Sequence, residues 1–123
     1  MNYSLLTKGE RISYFSKAFL YYREETLTNP KLIGEIDRNP IDNVTVLKYI
    51  RLSFGLSAVE LATLIGCSPR DQAIVKVENL IRKLSPQIER RITEELVLPD
   101  NIFQCTSRAE VDLTLHNWYV KLR

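Results

Sequence analysis

Cysteine and histidine are too scarce in this chain of 123 residues to build a metal centre or a set of disulfide bonds. The two cysteines, Cys67 and Cys105, lie far apart, and His116 is the only histidine. A closed zinc site needs about four ligands, which these residues do not supply. We therefore predict two reduced thiols in a cytoplasmic protein that has neither a metal nor a cofactor.

Long apolar runs are absent as well, and glycine and proline are few. No run approaches the roughly 20 residues that a membrane span requires, and no signal segment stands at the N-terminus. Four glycines and five prolines leave long uninterrupted stretches in which apolar residues recur at helical spacing. The expected fold is an all-α domain of five to six helices, without a membrane partner.

Groups that could perform catalysis are missing too. The sequence has no phosphate-binding glycine loop and no nucleophile–base pair around its single histidine, so we predict no catalytic residues and no enzymatic activity. The formal net charge of +2 permits nucleic-acid binding without arguing for it.

Residues 1–43 are predicted to form an N-terminal helix and a connecting loop. Thr7 and Glu10 have the spacing of a capping box. The residues that follow at spacings of three and four are Ile12, Phe15, Phe19 and Tyr22. Such an aromatic face could stack on bases, but it is far more often a core or dimer contact, which we favour here.

Residues 44–98 carry the signals of a compact helical domain. Asn43 is the expected N-cap of a helix over Val44–Phe54, and Gly55 suits the left-handed position that ends it. Ser57 and Glu60 form a second capping box, and a glycine six residues later ends that helix.

Two more helices are expected in this central part. A longer one carries its apolar residues from Ala73 to Leu84. Ser85 is a good N-cap and Pro86 suits the first helical position, so a further helix runs from there up to Pro99.

The C-terminal part, residues 99–123, is predicted to hold one more helix. Ser107 and Glu110 form a third capping box. The apolar face that follows is our candidate for dimerisation or packing, and it consists of Val111, Leu115, Trp118 and Leu122.

The central part also contains a more specific pattern. It reads Arg51-x-x-x-Gly55-Leu56-Ser57-x-x-Glu60-Leu61-Ala62-x-x-Ile65-Gly66-x-Ser68, followed by Ile74-x-x-Val77-Glu78-Asn79. This pattern resembles the lambda-repressor/Cro-like (XRE) helix-turn-helix family of DNA-binding proteins over residues 44–98. The resemblance implies a structural ion pair between Arg51 and Glu78.

The resemblance also implies which residues contact double-stranded DNA. The base-reading residues would lie before and within the first turns of the third helix, while basic residues and the amides at the start of the second helix would meet phosphates. The candidate DNA-binding residues are Ser57, Arg70, Asp71, Gln72, Ala73, Lys76, Arg82 and Lys83.

Three departures from the family pattern bear on these contacts. The stretch from Ser68 to Ile74 is about two residues too long, and two residues within a helix rotate the following face by about 200°. Either Asp71 caps the third helix after a longer turn, or Ser68 caps it and the helix gains part of a turn. Leu80 replaces the family's glycine, so we expect the third helix to run on. Ala58 replaces a glutamine that often contacts phosphate.

These observations lead to two hypotheses on function. The first is a sequence-specific transcriptional regulator, a dimeric repressor of phage or mobile-element type. The second is a protein-binding module on a helix-turn-helix scaffold, such as an antitoxin, an antirepressor or an inhibitor of a host protein. A continuous basic stripe would favour the first, and it would consist of Arg70, Lys76, Arg82, Lys83, Arg90 and Arg91.

Overall fold

The computed structural model describes residues 6–7, 9–14, 17, 34 and 40–122. Within these residues the chain is helical and holds no strand, which confirms the all-α prediction. Residues 9–14 are helical and precede the other elements. These are the helices α1 (Asn43–Ser53), α2 (Ala58–Leu64), α3 (Ala73–Glu78), α4 (Pro86–Leu96) and α5 (Arg108–Leu122), and the 3-10 turns Pro69–Asp71 and Ile102–Gln104.

Capping bonds set most of the helix starts. The boxes predicted at Thr7–Glu10 and Ser57–Glu60 are both formed, with donor–acceptor distances of 3.0 to 3.2 Å. Ser85 caps α4 and Pro86 takes its first position, as expected. In the third box, Ser107–Glu110, the serine hydroxyl accepts from the glutamate amide at 3.1 Å, but the carboxylate accepts from the residue before the serine.

The cap of α1 differs from the prediction. Asp42, not Asn43, is the N-cap, and its carboxylate accepts the Thr45 amide hydrogen at 2.8 Å. A carboxylate at this position gains from the positive end of the helix dipole as well as from the hydrogen bond. Asn43 is the first helical residue, and its side-chain amide donates to Glu89 of α4 at 2.9 Å.

One continuous core joins α1 to α5. The apolar residues that face inward on α1 and α2 are buried, and they include Leu47, Ile50, Phe54, Leu61, Ala62, Leu64 and Ile65. The 3-10 turn Ile102–Gln104 lies against both α1 and α5. The C-terminal helix therefore belongs to the same core as α1, α2 and α3.

Burial of the C-terminal helix overturns part of the predicted dimerisation surface. Val111 and Leu115 are fully buried in the core of their own chain, so they are not available to a second copy. Trp118 is half-buried against the same core, and its indole N–H donates to the Val97 carbonyl at 2.8 Å. The fourth predicted residue, Leu122, has a side chain outside the described residues.

The third helix is shorter than expected. It ends at Glu78, and the residue Leu80 adopts a left-handed conformation with φ of 61°. The Leu80 amide donates to Val77 and the Ile81 amide to Lys76, which is the hydrogen-bond pattern of a Schellman helix end. The leucine thus takes the conformation for which the family pattern uses glycine.

The same helix ending occurs at three other helices that the structure describes. The residues in the left-handed position are Gly55 after α1, Gly66 after α2 and Val97 after α4. A side chain raises the energy of this backbone conformation, and glycine carries no such cost. Among the described residues, these four helices therefore end at two glycines and at two residues, Leu80 and Val97, that adopt the left-handed conformation despite its cost.

The N-terminal segment is tied to α4. Arg11 forms an ion pair with Glu95, and Leu6 and Tyr14 pack against the core. Phe15, Phe19 and Tyr22, and with them most of the predicted loop, lie outside the described residues. None of the described helices is long and apolar enough to span a membrane.

Candidate nucleic-acid interface

Helices α2 and α3 form a tightly packed pair. Ala62 of α2 is 3% exposed, and Ile74 and Val77 of α3 are fully buried. Gly66 ends α2 with φ of 84°, which a residue with a side chain adopts only at a cost. A small residue on α2 and two apolar anchors on α3 thus pack the two helices against each other, and a left-handed glycine ends α2 before the connecting segment.

The predicted ion pair locks this arrangement to α1. The Arg51 guanidinium donates to both carboxylate oxygens of Glu78, from Nε at 2.6 Å and from Nη2 at 2.8 Å. Its third nitrogen donates to the Leu56 carbonyl at 2.7 Å. The two side chains are only 12% and 9% exposed. One guanidinium therefore joins α1, the turn before α2, and the end of α3.

The extra residues before α3 form a separate turn. Ser68 accepts the Arg70 amide hydrogen at 3.3 Å and caps the 3-10 turn Pro69–Asp71. Gln72 then takes a left-handed conformation, with φ of 49° and ψ of 38°, before α3 begins at Ala73.

The turn is longer, as in the first of the two alternatives drawn from the sequence, but neither of the two predicted caps of α3 is formed. Ser68 does act as a cap, but the 3-10 turn that it caps is not continuous with α3, and Asp71 does not cap α3. The reason is the core. Continuing the helix through two more residues would rotate Ile74 and Val77 away from α2, whereas a left-handed residue resets the chain direction.

The polar side chains just before α3 are accessible. Arg70, Asp71 and Gln72 are all exposed. The Gln72 side chain makes no capping bond to α3, so its amide is available to a ligand. Three polar side chains with different hydrogen-bonding groups thus stand together just before α3.

Fewer residues of α3 itself are accessible to a ligand than expected. Ala73 is 1% exposed and packs in the interior, so it cannot reach a base edge, and the prediction for this residue is wrong. Lys76 is half-buried, and so is Val75, which the sequence analysis did not single out. The sequence signal for an outward-facing Val75 is its place on the helix, because it falls on a different face from the apolar anchors Ile74 and Val77.

A basic cluster lies at the far end of α3. The amides of Ile81 and Arg82 both donate to the Lys76 carbonyl, at 2.8 and 3.2 Å, so the chain after α3 folds back onto the helix. Lys83 follows and is exposed, as is Arg82. We call Lys76, Arg82 and Lys83 the basic cluster. None of the three forms an ion pair with another residue that the structure describes.

The other predicted cations differ in their surroundings. Arg70 stands at the opposite end of α3 from the basic cluster. Arg90 of α4 lines a cavity of about 400 Å³ together with Glu89 and Glu94, so its charge lies among carboxylates. Arg91 is exposed on the same helix. Arg70 and the basic cluster therefore supply the positive charge near the two ends of α3, and the exposed Asp71 stands beside Arg70.

Fewer backbone amides than expected are available to a phosphate at the start of α2. The Ser57 amide donates to the Glu60 carboxylate and the Glu60 amide donates to the Ser57 hydroxyl, each at 3.0 Å. Two of the amides at this helix start are thus already paired. Those of Ala58 and Val59 remain, because Ala58 and Val59 are the first two helical residues.

No match was found among protein-family models, among curated proteins or among solved structures. The resemblance to the helix-turn-helix family thus depends on the motif residues and on the geometry just described. Among the residues that the structure describes, no group of three or more potential metal ligands comes together.

Proposed function

We propose that this chain is a sequence-specific DNA-binding transcriptional regulator of the lambda-repressor/Cro-like type, acting as a dimeric repressor in the cytoplasm. The observation that carries the proposal is the α2–α3 pair, locked by Arg51 and Glu78, with cations at both ends of α3 that form no ion pair with another described residue. A short helix flanked by positive charge suits the major groove, where phosphates lie on either side of the bases.

In this proposal the turn before α3 and the helix share the readout. Gln72 can pair bidentately with adenine and Arg70 with guanine, while Asp71 can accept from the amino group of cytosine. Lys76 and the half-exposed Val75 are the residues of α3 that could reach into the groove, and valine suits a thymine methyl group.

The basic cluster positions the protein on the duplex without reading sequence. Each Lys or Arg that neutralises a phosphate releases counterions, so binding weakens as the salt concentration rises. Loss of Lys83 should therefore weaken binding to all sequences alike, and loss of Gln72 should relax the choice of base.

Pairing of two copies follows from the size of the reading unit. One helix-turn-helix contacts a single half-site, and two-fold pairing doubles the contacts and reads a palindrome. We therefore propose a homodimer on a two-fold symmetric operator.

The proposal is tested by selecting bound sequences from random duplex DNA at near-physiological salt. The native chain is compared with the Gln72→Ala/Lys76→Ala double variant, and with Gln87→Ala, an exposed glutamine on α4, as the matched control. We expect a symmetric site to be enriched by the native chain and the control but not by the double variant.

The salt dependence of binding to the selected site separates the two kinds of contact. Binding weakens with salt, so the slope of log K against log salt is negative. Lys83→Ala should make this slope less steep by about 0.9, with the base preference unchanged. Equal and weak binding of every variant to every sequence would contradict the proposal.

One observation favours the second candidate, a protein-binding module. Leu80 and Ile81 are 75% and 73% exposed beside the basic cluster. Apolar side chains at this position are unsuited to phosphates and are typical of protein contacts. If no DNA sequence is enriched, a partner protein should be sought, with Leu80→Ser/Ile81→Ser as the variant that abolishes its binding.

A further inference from the structure

The C-terminal end of α4 forms one wall of a cavity that none of the candidate DNA-binding residues lines. Its volume is about 510 Å³, which lies within the roughly 300–1,000 Å³ that small-molecule sites occupy. The N-terminal segment contributes Leu6 and Arg11 to the other walls, and α5 contributes Trp118. Three separate parts of the chain therefore border one space.

The indole of Trp118 is held in a fixed position at this cavity. Its N–H donates to the Val97 carbonyl at 2.8 Å, and its side chain is half-buried against the core. Val97 and Leu98 are buried and continue the same wall. Because the polar atom of the indole is already bonded, the part of Trp118 that remains for a ligand is its aromatic ring.

Two carboxylates stand beside this apolar wall. Glu94 and Asp100 line the cavity, and both residues are exposed. Neither forms an ion pair with another residue that the structure describes. Both also line the neighbouring cavity of about 400 Å³, so they form the ridge between the two spaces.

The guanidinium of Arg11 does not cancel this negative charge. It forms an ion pair with Glu95, which is not one of the residues that line the cavity. It also donates to the Glu95 carbonyl at 3.4 Å. The charge of Arg11 is thus balanced by Glu95. Among the described residues of the cavity, the carboxylates of Glu94 and Asp100 are therefore in excess.

We propose that this cavity binds a small organic cation, an ammonium group carried on an aromatic or apolar body. The ammonium donates charge-assisted hydrogen bonds to Glu94 and Asp100, and the body packs against Trp118 and its apolar neighbours. A cation near the ring of a tryptophan is also attracted by the ring itself. A neutral ligand of the same shape gains only the apolar contact, and an anionic one is repelled.

Trp118 reports on the cavity directly, because it is the only tryptophan of the chain. The probe is phenethylammonium, titrated into the DNA-free protein at neutral pH while the tryptophan fluorescence is recorded. Two probes of nearly the same shape lack the cation. These are phenylethyl alcohol, which is neutral, and hydrocinnamate, which is anionic.

The double variant Glu94→Gln/Asp100→Asn removes both charges and keeps the shape of the side chains. Both positions are exposed, so circular dichroism should show unchanged folding. Asp71→Asn is the matched control, because Asp71 is an exposed carboxylate that does not line the cavity.

The expected result is a saturable fluorescence change in the native chain, with a dissociation constant below about 1 mM. The dissociation constant should be at least about tenfold higher for both uncharged and anionic probes, and for phenethylammonium with the double variant. Asp71→Asn should bind phenethylammonium as the native chain does.

Three outcomes would overturn the proposal. One is a native chain that shows no saturation up to about 10 mM phenethylammonium. Another is a double variant that binds as tightly as the native chain. The third is equal binding of phenylethyl alcohol, which would mean that the site does not select charge. Calorimetry on the same samples detects binding that leaves the fluorescence unchanged, and such binding alone would also overturn the proposal, because it would lie away from Trp118.

This inference goes beyond DNA binding and does not depend on it. A chain that binds phenethylammonium but selects no DNA sequence keeps this inference and loses the proposed function. A chain that selects a DNA site but does not bind the cation does the reverse.

Discussion

Removing the carboxylate of Glu78 should destabilise the fold strongly. The pair with Arg51 is close to fully buried, with exposed fractions of 12% and 9%, and both guanidinium–carboxylate bonds are shorter than 3 Å. Breaking a buried ion pair by removing one partner costs about 3–5 kcal/mol, because the other charge stays buried without compensation.

The structure argues for the lower end of that range. Arg51 keeps its bond to the Leu56 carbonyl when Glu78 is lost, and about a tenth of its side chain already meets solvent. We therefore expect Glu78→Ala to lower the free energy of unfolding by about 3 kcal/mol, which corresponds to a fall in Tm of about 10 °C for a domain of this size.

A double replacement isolates the cause. Arg51→Met combined with Glu78→Leu removes both charges and keeps apolar volume, so it should restore stability to within about 1 kcal/mol of the native chain. The more exposed pair of Arg11 and Glu95, with exposed fractions of 15% and 35%, supplies the control. Glu95→Ala should cost less than about 1 kcal/mol.

Urea unfolding followed by circular dichroism measures all four chains. The reasoning is refuted if Glu78→Ala costs no more than Glu95→Ala. It is also refuted if the double variant is less stable than Glu78→Ala alone, because the loss would then come from packing and not from an uncompensated charge.

Three further changes have defined outcomes. Leu80→Gly should raise the free energy of unfolding by about 1 kcal/mol, because glycine adopts the left-handed backbone without strain and the side chain that is lost is largely exposed. In the same urea titration the control Ile81→Gly, at a position without positive φ, should lower the free energy of unfolding. Ser53→Ala should also stabilise, by about 1 kcal/mol, since the Ser53 hydroxyl is buried with no hydrogen-bond partner among the described residues; a loss of stability would mean that this hydroxyl is satisfied. In a thiol-modification assay on the folded chain, the half-exposed Cys67 should react first, because Cys105 is buried and desolvation raises the pKa of its thiol. Cys67→Ser should remove the fast phase, and a fast phase that persists would contradict this assignment.

Short-range hydrogen bonds explain why so much of the scaffold could be predicted. The capping boxes at Thr7 and Ser57 join residues three apart, and the endings at Gly55 and Gly66 join residues within one turn. Each depends on residue type and spacing alone. The Arg51–Glu78 pair spans 27 positions and was inferred from the family resemblance, not from local geometry.

The candidate interface was less predictable. Its residues were named from the family pattern, but the extra residues before α3 altered their placement. Ala73 is buried, and Gln72 is a single left-handed residue between the 3-10 turn and α3. A left-handed glutamine has no sequence signature, because the core position of Ile74 and Val77 imposes it from outside the segment.

The sequence by itself determined where α2, α4 and α5 begin, which turns need glycine, and which residues are apolar enough to form a core. Only the tertiary structure decided that α3 stops at Glu78 with Leu80 in a left-handed conformation, and that α5 buries Val111 and Leu115 while leaving Leu113 and Val120 outside. The reason is physical. Caps and turns depend on hydrogen bonds between near neighbours, whereas a helix with two apolar faces buries whichever one its packing partners cover.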